Sequence, residues 1–257
     1  MYEKYIQKLN LKNDDTLLIG SNILMFGKEL LKEGIKFDPN LFINELQKFL
    51  ENGTLLFPAF DYDFCNKGVY NYNAPPPKLM GALSKTAFKR GDFKRTSHPV
   101  FSFLVWGKYQ DDFLKLQNVD AFSMDSPFGL LYKLRAKMLI IDVEYNHVFT
   151  YIHFVEFMEK APYRYNKTFK GRYIKDNYEY VKECRLYVRD EKLGVENNSN
   201  ELGRILEKKG IAEVYNPVGN LKWVLIDLYK AYDVIAYQIK HNPLSIVKFN
   251  NLSKEMQ

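Results

Sequence analysis

Two short apolar runs, residues 16–20 and 54–58, flank a helix with clear signals at both ends, and that order constrains the fold more than any other feature. Asp38 is placed to cap the helix and Pro39 to be its first residue. Leu41, Phe42, Leu46, Phe49 and Leu50 make its apolar face, and Gly53 stops it. A strand, a crossing helix and a second buried strand imply neighbours that run parallel, in a sheet covered on both faces.

The remaining pattern extends this unit. Gly81 and Ser84 lead into a helix ending near Arg90, and residues 101–106 read as a strand. Ser126 and Pro127 open another helix, and the run 138–143 reads as a buried strand before a helix over about 150–160. From about 162 the chain becomes aromatic, charged and alternating. Residues 178–182 and 185–189 are expected to form a hairpin or meander. A short helix at 201–209, a strand at 212–215 and a long last helix over 221–240 complete the chain. Leu221, Leu225, Leu228, Tyr232, Ile235 and Ile239 stripe that last helix. The expected fold is an α/β/α sandwich: one domain over 1–257 with a mostly parallel or mixed sheet, helices on both faces, and a smaller β-rich subdomain or insertion near 162–216.

Composition excludes several classes. With 257 residues, 46% of them hydrophobic, the chain can bury a substantial core. Net charge is +6 with both signs mixed and no basic arm, which argues against nucleic acid and suits a ligand carrying phosphates. Two cysteines make neither a disulfide framework nor a zinc ribbon and fit a reducing cytoplasm. The polar N-terminus lacks a signal peptide's apolar centre, and no apolar run reaches a membrane span. A cytoplasmic location is the expectation.

Thr150, His153 and Glu156 fall three apart on one face of the expected helix. A neutral imidazole beside a carboxylate is a proton acceptor: the carboxylate orients the ring and offsets its charge once protonated. Spacing alone equally describes a capped helix with a hydrogen-bonded histidine. Asp61 and Asp63 leave the end of a strand, where open α/β sheets gather ligands, and suit an amine or sugar hydroxyls. Gly20, Ser21 and Asn22 mark a strand exit that can hold a phosphate or amide, or simply turn. Arg95, Ser97, His98 and Ser102 group a guanidinium, hydroxyls and a histidine near a turn. His147 has no evident partner.

Taken together, the segments Gly20-Ser21-Asn22, 53–58, Pro77 with 81–84, Arg95 to Pro99 with Ser102 and Trp106-Gly107, 126–129, Thr150-x-x-His153-x-x-Glu156 and a weaker 217–220 resemble the aminoglycoside 3-N-acetyltransferase family, in order and over about residues 10–245. That resemblance implies transfer of acetyl from acetyl-CoA to an amine. His153 would be the base and Glu156 the group orienting it, with Thr150 a candidate oxyanion donor. Ser21, Arg95, Ser97, His98 and Ser102 become coenzyme A candidates, and no metal is required. The chain departs from the family at Gly20, where a histidine is usual, and at Ala59 and Lys85. Because the chain is basic, the expected acceptor is an amino sugar of surface polysaccharide biosynthesis, nucleotide-linked or not, with Asp61 and Asp63 as its contacts. The alternatives are an aminoglycoside as acceptor, a non-catalytic coenzyme A or sugar binding protein, and a metal-dependent hydrolase using His98, His153 and Glu156, which the ligand spacing disfavours. A monomer or homodimer is expected.

Overall fold

The computed structural model describes residues 1–250. The described residues hold twelve strands: β1 (Thr16–Ser21), β2 (Thr54–Pro58), β3 (Val69–Asn71), β4 (Lys94–Arg95), β5 (Phe103–Gly107), β6 (Lys137–Ile141), β7 (Arg164–Lys175), β8 (Tyr178–Arg189), β9 (Val195–Asn197), β10 (Ala212–Tyr215), β11 (Trp223–Asp227) and β12 (Val247–Phe249). Seven form the central sheet, in the order β10-β11-β6-β1-β2-β5-β4. Its middle strands β6, β1 and β2 are parallel, and an antiparallel pair flanks them on each side.

Alternation along these strands sorts the core in two. Leu18, Leu56, Val105, Met138 and Ile140 belong to one hydrophobic body. Leu17, Ile19, Leu55, Phe57, Leu139 and Ile141 belong to the other. Successive residues of a strand point to opposite faces, so each strand feeds both. Helices Leu24–Lys32, Pro39–Phe49 and Gly81–Lys89 cover the second body, and Pro127–Lys133, Ile152–Met158 and Leu228–His241 cover the first. The expected caps are in place: the Asp38 side chain accepts from the Asn40 and Leu41 amides, and that of Ser126 from the Gly129 amide.

Three expectations need correction. The stretch expected as one helix over 221–240 is strand β11 followed by a helix beginning at Leu228. The side chain of Asp227 caps that helix by accepting from the Lys230 amide, and β11 lies antiparallel to β6. Residues 178–182 and 185–189 are two halves of the single strand β8, and its hairpin partner is β7. A two-residue turn joins them, with Asp176 at φ 54°, the left-handed geometry that such tight turns require. Residues 212–215, grouped by sequence with the β-rich segment, are edge strand β10 of the central sheet. The hairpin itself belongs to a separate three-stranded sheet, β3-β7-β8. It packs closely on the helix Asp63–Lys67: a Cβ at Gly171 would lie 2.5 Å from the Gly68 carbonyl oxygen.

Candidate active site

Strands β1, β2 and β6 end on the same side of the sheet, and a cavity of about 700 Å³ opens there. Gly20 and Ser21 from the end of β1, Pro58 from the end of β2 and Val143 after β6 line it. Met80 and Gly81 close another side, and Tyr62 and Phe60 stand on its wall. This is where open parallel sheets bind ligands, because the crossovers diverge beyond the strand ends.

The helix that carries His153 starts at Ile152, so Thr150 lies in the turn before it and not on its first face. The Thr150 carbonyl still accepts from the His153 amide at 3.0 Å, and Thr150 lines the cavity. His153 stands one turn further on and is not part of the cavity wall. Its ring meets Phe122 edge-on at 5.6 Å, and its side chain is 18% exposed.

Glu156 is fully buried, and its Oε2 lies 2.7 Å from His153 Nδ1. The same oxygen lies 2.7 Å from Arg164 Nε at the first residue of the hairpin. Arg164 also donates to the Tyr187 carbonyl at 3.2 Å and to the Asn197 side chain at 3.4 Å. The terminal nitrogen that reaches Asn197 also sits 3.1 Å from His153 Nδ1. Both cannot donate along one line, and the carboxylate is the closer acceptor. We therefore assign the proton to Nδ1, which leaves Nε2 as the free acceptor.

The electrostatics support a neutral ring. Burial, then the Arg164 guanidinium, lower the His153 pKa, with Glu156 pulling the other way. Burial alone would raise the Glu156 carboxyl, but Arg164 and His153 outweigh it and hold that carboxyl below its ordinary range. Tyr163 lies buried beside Glu156, and burial and that carboxylate both raise its phenol. Arg164 has no signal in the sequence: only the folded chain brings residue 164 onto the 153–156 pair.

The other residues expected at the site are dispersed. Ser21 is on the cavity wall. Arg95 is buried and gives its donors to Ser102 Oγ (3.0 Å) and to the carbonyls of Tyr72, Ala74 and Ala59. Ser102 Oγ itself donates to the Ala59 carbonyl at 2.8 Å. Ser97 donates to the Leu116 carbonyl. His98 accepts from the Val100 and Phe101 amides, and its Nε2 faces the Val119 carbonyl without a well-formed hydrogen bond. Burial and the Lys182 charge lower its pKa to about 3. These four have internal partners and are not among the residues lining the cavity. Asp61 accepts from the Asp63 amide and Asp63 pairs with Lys67 at 3.0 Å, on either side of Tyr62. His147, left without a partner by the sequence, reaches the cavity wall.

Among the described residues no cluster of three or more His, Cys, Asp or Glu could hold a metal, and no helix is long and apolar enough to cross a membrane.

The fold and the site define an α/β protein with a carboxylate-backed histidine beside a cavity at the strand ends. A sequence profile of aminoglycoside 3-N-acetyltransferases matches residues 33–240, and the chain belongs to that family. A Bacillus subtilis relative, the SPbeta prophage-derived aminoglycoside N(3')-acetyltransferase-like protein YokD, is 24% identical over 62% of this chain, and the match spans 64% of the relative's length. The crystal structure of YokD superposes with a TM-score of 0.74 at 22% identity, covering 93% of this chain and 97% of YokD. The aminoglycoside acetyltransferase AAC(3)-Xa gives 0.76 at 17% identity, covering 93% and 91%. AAC-IIIb, in a binary complex with CoASH, gives 0.76 at 12% identity, covering 98% and 97%. At these identities the superpositions establish the fold.

Proposed function

We propose that the protein transfers the acetyl group of acetyl-CoA to an amine of an aminoglycoside-type amino sugar. The observation that carries this reading is the buried Glu156–Arg164 pair holding His153 with Nε2 free, beside a cavity large enough for the thioester arm. The neutral amine attacks the thioester carbon, the new C–N bond forms and the C–S bond breaks. His153 Nε2 takes the proton the amine nitrogen sheds and returns it to the departing thiolate, so the products are the amide and coenzyme A. The imidazolium formed in between is stabilised by Glu156, which remains ionised. The cavity, lined by Ser21 and Thr150, is the proposed coenzyme groove; Thr150 is a candidate oxyanion donor. Family membership and the names of the relatives favour an aminoglycoside acceptor, and nothing in them supports the polysaccharide acceptor inferred from net charge.

The test is thiol release from acetyl-CoA against a panel of aminoglycosides and amino sugars. His153→Ala is expected to lower kcat by about 10²- to 10⁴-fold with an unchanged unfolding transition. Full turnover by that variant on a good acceptor would refute the assignment.

A further inference from the structure

The cavity at the strand ends changes character along its depth. Leu18, Phe60, Phe128 and Met138 form its floor, none of them more than 8% exposed, and all four belong to the hydrophobic body on that face of the sheet. Asn22, Lys78 and His147 stand at its mouth and are exposed. The floor is also the end that leads to the proposed base. The Phe128 ring lies 5.3 Å from Phe122, and the Phe122 ring lies 5.6 Å from His153. Thr150, on the same wall, accepts through its carbonyl from the His153 amide. Val148 lines the cavity beside Met138: a Cβ placed on Gly20 would meet both, at 2.9 and 3.1 Å.

This gradient orients a coenzyme thioester. Its phosphates suit the mouth, where Lys78 supplies a cation, and the pantetheine arm then runs inward and brings the acyl group to the floor. An acetyl group offers that floor a single methyl. Apolar walls hold water poorly, and each further methylene buried against them is favourable. We propose that the floor is an acyl-chain subsite, and that the protein also accepts coenzyme A thioesters of short straight-chain acyl groups longer than acetyl, butyryl among them. The step balances as it does for acetyl. The amine nitrogen bonds to the carbonyl carbon, the C–S bond breaks, and His153 carries the proton from nitrogen to the thiolate, giving the longer amide and coenzyme A. The inference rests on the acyl-transfer reading and widens its donor without changing its acceptor.

Calorimetry with acetyl-, propionyl-, butyryl- and hexanoyl-coenzyme A tests the subsite in the wild type, Val148→Phe and Met138→Ala. Butyryl-coenzyme A is expected to bind the wild type about fivefold or more tighter than acetyl-coenzyme A, since one fully buried methylene is worth about fourfold. Val148→Phe, which sets a ring over the floor, should bring that ratio close to one. Met138→Ala, which deepens the floor, should raise the hexanoyl-to-butyryl ratio. Equal or weaker binding of the longer chains, or a chain-length gain that neither substitution moves, would overturn the proposal. If Val148→Phe does not fold, the wild-type series and Met138→Ala decide between the same outcomes. Thiol release with an aminoglycoside is scored donor by donor. Release from acetyl-coenzyme A alone would also overturn the proposal and leave acetyl transfer standing. Absence of release from every donor, alongside an intact chain-length preference in binding, would fault the transfer reading and leave the subsite standing.

Discussion

One oxygen, Glu156 Oε2, lies 2.7 Å from both His153 Nδ1 and Arg164 Nε, and the chemistry proposed at His153 depends on how they share it. Arg164 anchors the carboxylate while its own charge keeps the ring neutral. Burial is the main cause of the lowered His153 pKa and the Arg164 charge the second; replacing Arg164 by Gln removes that charge, so the ring protonates at higher pH. The acid limb of kcat/KM should therefore move up relative to the wild type, as a pH–rate profile would show. The same substitution leaves a buried carboxylate unpaired and is expected to cost roughly 3–5 kcal/mol, measured by urea unfolding. A downward shift of the acid limb would contradict the assigned tautomer and charge order. In the sequence the His153–Glu156 pair was visible because both residues lie within one turn. Arg164 was not, since its contact spans a helix end, a turn and a strand start that no local pattern links.

At the scale of elements, Gly20 shows how a departure from the family is absorbed. A Cβ there would lie 2.9 Å from Val148 Cβ and 3.1 Å from Met138 Cε. The short helix Tyr145–Val148 thus fills the space that a side chain at the end of β1 would take. Gly20→Ala is expected to cost about 1–3 kcal/mol and weaken coenzyme A binding, and adding Val148→Gly, which removes the Cβ that the new methyl meets, should recover part of the stability. Additive losses in the double variant, by thermal unfolding and calorimetry, would contradict this. Elements closed by side-chain chemistry were legible: Asp38-Pro39 and Ser126-Pro127 start helices where the sequence places them. Strand β11 was not, for a physical reason. Trp223 and Leu225 enter one hydrophobic body and Val224 and Ile226 the other, so the strand is apolar on both faces and shows no period. A continuous apolar run is consistent with a helix as well as a strand until its sheet partner is known.

Across the whole molecule, stability at mild acidity is tied to a second buried histidine. His98, buried in the loop between β4 and β5, has its pKa depressed to about 3 from 6.5 by burial and then Lys182. The unfolded chain therefore binds a proton that the native state refuses. His98 contributes nothing to the pH slope well above 6.5, and stability falls as pH drops from 6.5 towards 3, at up to about 1.4 kcal/mol per unit. Urea unfolding at about pH 7 and about pH 5 should show that loss, and His98→Asn should flatten it while lowering stability at both. His153, shifted in the same direction, adds a slope that His98→Asn leaves in place.

The hairpin root has a further consequence, one of timing. The proposed base, His153, sits on a helix over the central sheet, but the arginine that holds its partner Glu156 opens a strand of a different sheet. Regions with many exposed backbone bonds open before the core does. If the hairpin loosens first on warming, Arg164 leaves Glu156 and the proposed base loses its support while the central sheet is intact. Heat inactivation is then expected at a lower temperature than the main unfolding transition, with amide exchange in 164–189 rising in step with lost activity. Coincident inactivation and global unfolding would show that the two sheets open as one.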